Sequence, residues 1–136
     1  MLIGGRAPEA IRRVGRWADG YLGAQKEPAT LRQYYDIVEE SWKDAGRTGK
    51  PRQVGLFYFA LTPDGADRTA AYLRRYYGFM GPGAEEFVGF ALSSPEKLKN
   101  TIKIYSDIGM EEALLFPCAD ELDEVDRLAD LVGGLV

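Results

Sequence analysis

The sequence predicts an α/β fold built on a parallel sheet, and three observations carry that expectation. Four short apolar segments of strand character begin near Leu2, Tyr21, Gln53 and Glu112, and each is followed by a stretch with helical periodicity. Strands alternating with helices in this way are joined by right-handed crossovers, which makes neighbouring strands parallel. The first two segments are apolar without alternation, as in strands covered on both faces.

The first strand, Met1 to Ile3, runs without lead-in into Gly4-Gly5-Arg6-Ala7. Adjacent glycines let backbone N–H groups approach an anion, and the dipole of the helix that follows adds to the attraction. In residues 8–18, Ile11, Val14 and Ala18 share one helix face, while Arg12, Arg13 and Arg16 lie around the other. Asp19-Gly20 breaks this helix, and Tyr21-Leu22-Gly23-Ala24 forms the second strand.

Pro28 suits a first helical turn, and Leu31, Tyr34, Val38, Trp42 and Ala45 continue the apolar spacing until Gly46. After the polar loop at 47–51, residues 53–61 make the strongest strand, rich in aromatic and β-forming residues. Asp64-Gly65 closes it, and Ala66, Ala70, Leu73 and Tyr77 mark the next helix. Residues 78–83 read as a flexible, partly apolar loop and 84–91 as a short helix. Ser94 caps a further helix with Pro95 in its first turn and Leu98, Ile102, Tyr105 and Ile108 on its buried stripe. A strand at 112–116 and a last helix carrying Leu122, Val125, Leu128, Ala129 and Val132 complete the chain. These short apolar strands fit either an open three-layer sheet or part of a (β/α) barrel.

Composition narrows the function. The 136 residues suffice for one domain, 1–136, and 46% apolar with 28% charged residues is typical of a globular protein. The longest apolar run, Val54 to Leu61, falls well below the ~20 residues of a membrane span. No signal-peptide pattern is present, so a cytoplasmic protein without membrane attachment is expected. A net charge of −4, with basic residues spread along the helices, argues against nucleic acid as a partner.

Histidine is absent, which removes Ser-His-Asp and Cys-His nucleophile systems, histidine metal sites and the commonest general base. Any chemistry rests on a cofactor, on Asp, Glu, Lys, Arg or Tyr, or on another chain. Cys118 stands alone, leaving no internal disulfide and no cysteine metal cluster. The run Asp120, Glu121, Asp123, Glu124 and Asp126 reads as a solvated first turn favoured by the helix dipole, and no metal is expected there.

Three segments carry a family resemblance. The opening from Leu2 to Gly23, the stretch Lys43-Asp44-Ala45-Gly46-Arg47, and Leu92-Ser93-Ser94-Pro95-Glu96 with Tyr105 to Met110 and Glu112 to Pro117 together resemble the second half of the bacterial luciferase-like monooxygenases. They follow the family's order over nearly the whole chain. The resemblance implies a parallel (β/α) half barrel whose four strands correspond to strands five to eight of a TIM-type (β/α)8 barrel of ~250 residues. It also implies a flavin- or deazaflavin-dependent oxidoreductase or monooxygenase, using FMN or a deazaflavin coenzyme. The branch that uses the deazaflavin is the nearer in flavour.

The resemblance places Gly4, Gly5, Arg6 and Ala7 where family members bind the cofactor phosphate, and Gly23 and Ala24 where the flavin ring packs. Tight turning at the glycines and room for a helix at Gly23 and Ala24 are the structural alternatives. Tyr58, Phe59, Phe116 and Cys118 lie near the strand ends that hold ligands in barrels, but core packing is expected of them. Tyr34-Tyr35 and Tyr76-Tyr77 are likewise assigned to packing, and the loop at 81–83 to an exposed connection or a lid.

The first four strands, which in the family supply much of the flavin pocket and its acid/base groups, have no counterpart here. Half a barrel leaves two open strand edges and an apolar face. A homodimer pairing those edges, or a separate N-terminal half-barrel chain, is therefore expected. The competing function class is a non-catalytic half-barrel assembly module or a truncated gene product that self-associates.

Overall fold

The computed structural model describes residues 1–24 and 26–134. Its elements are β1 (Leu2–Gly4), α1 (Pro8–Trp17), β2 (Gly20–Ala24), α2 (Pro28–Asp44), β3 (Arg52–Phe59), α3 (Gly65–Tyr76), α4 (Ala84–Phe90), α5 (Pro95–Asp107), β4 (Glu112–Pro117) and α6 (Asp123–Gly133). The four strands are parallel and lie in sequential order, β1-β2-β3-β4. Sequential order is that of a (β/α) barrel wall; a doubly wound sheet reverses direction at a switch point. Two compact units divide the chain: Met1–Leu56 with Ile102–Leu114, and Phe57–Thr101 with Leu115–Val136.

In the first unit, Leu2 pairs with Gly20 and Gly4 with Leu22, while Gly20 pairs with Arg52 and Ala24 with Leu56. Close approach sets two glycines. A Cβ on Gly15 would come within 2.1 Å of the Ser41 carbonyl oxygen, so its absence lets α1 lie directly on α2. A Cβ on Gly20 would strike the Arg52 carbonyl oxygen at 2.3 Å.

The last carbonyls of α1 have a partner from outside the helix: the Arg47 guanidinium donates to Val14, Gly15 and Ala18, and stacks over the Trp42 ring 3.5 Å from its centroid. On α2 the buried stripe is Leu31, Tyr35, Val38 and Trp42. Tyr35 takes the core position expected of Tyr34, because spacings of four, three and four follow the helix face better; Tyr34 is half-buried, edge-on to Tyr21.

In the second unit β3 stops at Phe59, two residues before the predicted end. Ala60 still donates to Leu92, but the Leu61 amide turns away to the Glu124 carboxylate. The stretch Gly78–Gly83, expected as a loop, forms a 3-10 turn kinked at Gly81, where φ is 57°. The Ser94 cap is present: its hydroxyl accepts the Lys97 amide at 3.2 Å.

Several packing expectations fail in this unit. Glu124, expected among solvated acids, is 0% exposed. Its bond to Leu61 rotates α6 so that Leu122, 86% exposed, and Val125 face outward in place of the predicted apolar stripe. Phe116 is 45% exposed and Tyr76 also lies largely in solvent, so neither is core. Tyr58 and Phe59 are buried as expected.

Candidate functional site

Barrel ligands sit at the carboxyl ends of the strands. At that end of the first unit, a hollow of about 290 Å³ is lined by Gly4, Gly5, Arg6, Ala24, Tyr21, Leu22, Lys26, Tyr34 and Leu56. Four of the six residues expected to meet a cofactor, Gly4, Gly5, Arg6 and Ala24, thus come together.

Ala7 and Gly23 stand apart from this lining. Ala7 is the N-cap of α1, contributing its carbonyl to the amides of Ala10 and Ile11 but no side-chain acceptor to the first turn. Gly23 is buried, and a Cβ there would meet Leu31 of α2 at 2.6 Å, so its smallness serves the helix packed on the strand.

The turn is held from below. The Tyr21 hydroxyl donates to the Gly5 carbonyl at 2.7 Å, and burial first, then the neighbouring Tyr34 and Tyr35, pushes that hydroxyl well above its ordinary pKa, with Arg6 pulling the other way. Tyr21 therefore stays protonated and keeps the bond. Gly5 adopts φ 151°, and a Cβ on it would lie 2.8 Å from that of Ala10. Position 5 thus requires glycine for the turn itself. Neither Lys26 nor Tyr34 was expected at the hollow. Lys26 carries no periodic or motif signal, and the spacing of Tyr34 fits a helix stripe, which predicts core.

The hollow therefore offers two cationic side chains, Arg6 and Lys26, and a mainly apolar floor. That donor set fits the phosphate-bearing end of a coenzyme. Among the described residues the hollow is lined by no carboxylate.

In the second unit, Tyr58 and Phe116 stand at the same end of their strands with ring centroids 6.0 Å apart. The Tyr77 hydroxyl lies 2.9 Å from that of Tyr58, and the Tyr77 ring stacks on Phe87 at 3.9 Å. Cys118 is partly buried, which raises its thiol pKa to about 11, and its amide donates to Phe59. Asp120 and Glu121 face Arg68, with Glu121 2.7 Å from it.

Four parallel strands in sequential order, each followed by helix, define a protein of the (β/α)-barrel class. The family model for luciferase-like monooxygenases matches residues 1–125, and the chain belongs to that family. No curated protein matches it in sequence.

Solved structures share the fold. One is an F420-dependent secondary alcohol dehydrogenase in complex with an F420-acetone adduct, at 16% identity and a TM-score of 0.81, covering 99% of this chain and 48% of that one. Another is the coenzyme F420-dependent tetrahydromethanopterin reductase from Methanopyrus kandleri, at 14% identity and TM-score 0.65, covering 97% and 48%. A third is the monooxygenase RslO1 from Streptomyces bottropensis, at 13% and 0.60, covering 98% and 46%. The chain spans about half the length of each.

Proposed function

We propose that this chain is the carboxyl-terminal half-barrel portion of a flavin- or deazaflavin-dependent oxidoreductase, and that its turn at Gly4–Ala7 receives the coenzyme's phosphate. The observation that carries this reading is the meeting of Gly4, Gly5, Arg6 and Ala24 with Lys26 in one hollow at the strand carboxyl ends. Arg6 and Lys26 attract the anion, the dipole of α1 adds to the attraction, and Tyr21 holds the turn in shape. Leu22, Ala24 and Leu56 provide an apolar surface for a planar ring. The coenzyme, when bound, supplies hydride transfer or, for FMN, also oxygen activation. Two F420-dependent enzymes among the similar structures favour the deazaflavin.

Titration of coenzyme F420 or FMN into the purified chain, followed by coenzyme fluorescence, tests this. Saturable binding that weakens roughly tenfold in Arg6→Ala is expected, about the worth of one charge-assisted hydrogen bond. No binding of either coenzyme, alone or after addition of an N-terminal half barrel from the family, would remove the reading.

Catalysis in this reading needs a partner. The end strand β4 carries Leu114 and Phe116 partly in solvent, and apolar residues on an end strand favour association. A second copy or a separate N-terminal half barrel is the proposed partner. A non-catalytic assembly module would show the same association without coenzyme binding.

A further inference from the structure

The sheet ends at β1 on one side and β4 on the other, and the helices that follow these strands, α1 and α6, each carry an exposed flank. On α1, Ile11 and Val14 are buried and Gly15 lies against Ser41 of α2. At about 100° per residue, Arg13 and Trp17 stand about 160° around the helix from Gly15, on the flank turned away from α2. Trp17 is 67% exposed, and Arg13 and Arg16 are in solvent with it. Among the described residues no ion pair engages either of these arginines, whereas Arg12 is held by Glu40 of α2 at 2.7 Å.

The flank of α6 is built alike with the opposite charge. Glu124 is buried, and Arg127 and Leu131 line a hollow with Pro95 and Lys99 at the start of α5. Leu122, Val125, Ala129 and Val132, at spacings of three and four, form one apolar stripe on the flank away from that hollow. Leu122, Val125 and Ala129 are exposed and Val132 is half-buried. Asp126 borders the stripe, and among the described residues no ion pair engages it, while Asp123 has Arg127 within 4.0 Å.

An apolar stripe left in water marks a contact surface, and tryptophan and arginine are the side chains that most often anchor one. The two flanks also match in order. On each, the apolar groups (Trp17, or Val125 and Val132) lie nearer the buried side of the helix and the charge (Arg13, or Asp126) lies farther out.

We propose that the α6 flank of one copy of this chain docks on the α1 flank of a second copy, Trp17 packing on the stripe from Leu122 to Val132 and Arg13 and Arg16 facing Asp126. Strand β4 of the first copy then lies beside β1 of the second. The occupant is a second copy because one chain carries both halves of the match in shape and charge. Since the two flanks differ, the contact is head to tail, and a pair of copies forms it twice. This inference rests on the reading above that β4 meets a partner and does not depend on coenzyme binding.

Sedimentation of the full chain tests it. The wild-type chain is expected to associate at micromolar concentration. Arg13→Glu and Asp126→Arg, both at exposed positions, should each keep the circular dichroism spectrum and weaken association roughly tenfold or more, because each sets like charges face to face. Trp17→Ala should weaken it comparably. An equimolar mixture of the Arg13→Glu and Asp126→Arg chains should associate again, since in the mixed pair one contact is native and the other has both charges exchanged. A variant weakened by misfolding does not recover on mixing.

The proposal is overturned if the wild-type chain stays monomeric, if either charge reversal associates as tightly as wild type, or if the mixture stays monomeric. Association untouched by these substitutions would leave a partner at β4 and remove this contact. A monomer that still binds coenzyme would remove the second copy and leave the coenzyme reading standing.

Discussion

Glu124 and Leu61 are joined across 63 positions of sequence by a buried hydrogen bond in which the Leu61 amide donates to Glu124 Oε2 at 2.7 Å. The other carboxylate oxygen accepts from Arg127 at 3.0 Å. This pair ends β3, sets the rotation of α6 and exposes Leu122 and Val125. Removing the carboxylate leaves a buried amide unsatisfied, so Glu124→Ala is expected to cost about 2–3 kcal/mol in urea denaturation, and Glu124→Gln, which keeps an acceptor, about half of that. A loss below ~0.5 kcal/mol for the alanine variant would show that the bond does not organise the unit.

The contact between α1 and α2 depends on Gly15. A methyl group there meets the Ser41 carbonyl oxygen at 2.1 Å, and both atoms belong to helix backbones that yield only by separating. Gly15→Ala improves intrinsic helix propensity yet is expected to destabilise by about 1–3 kcal/mol through overpacking, seen as a lowered Tm. An unchanged or raised Tm would mean that the helices are not in register as described.

Cys118 gives a pH-dependent signal. Burial lifts its thiol from an ordinary value near 9 to about 11, with hydrogen bonding of the thiol to the Phe59 backbone opposing the rise and Glu124 adding to it. The folded protein thus holds this proton more tightly than the unfolded chain. Its stabilising contribution is complete below pH 9 and is lost as pH climbs from 9 through about 11. Alkylation of the native protein should be slow at neutral pH and accelerate toward pH 11, whereas in denaturant it should follow an ordinary thiol. The Cys118→Ala variant should lack the extra alkaline loss of stability.

Tyr77 ties the short helices to the end of β3 through its hydroxyl, 2.9 Å from that of Tyr58. Tyr77→Phe keeps the ring stack on Phe87 and removes only this bond, for an expected loss of about 0.5–1.5 kcal/mol by chemical denaturation. A double cycle with Tyr58→Phe should show that the two losses are not additive.

Association through β4 is tested by charge. Leu114→Glu and Phe116→Glu alter partly exposed side chains, so each should leave the isolated fold intact. If β4 meets a partner, either substitution should shift sedimentation toward the monomer. A wild-type chain that sediments as a monomer at micromolar concentration would dismiss self-association.

Local order was legible. The strand–helix succession and the Ser94 cap each depend on neighbours within about four residues, and both appear in the structure; of the stripe expected on α2, Leu31, Val38 and Trp42 are buried, with Tyr35 in place of Tyr34 and Ala45 exposed. The turn at Gly4-Gly5 was also visible, since paired glycines announce unusual backbone angles wherever they fall. Arg47 as a cap for α1 was not: its acceptors lie 29 to 33 residues earlier in the chain.

By itself, then, the sequence determined the order of elements, the parallel sheet and the family, because these follow from periodicity, turn chemistry and motifs spread along the chain. Tertiary structure alone decided which acid is buried, which face of α6 meets solvent, and that Lys26 joins Arg6 at the hollow beside the Gly4-Gly5 turn. Those outcomes depend on the few partners that long-range packing brings within hydrogen-bond reach, and burial without a partner is penalised too heavily for composition to foretell where each pair forms.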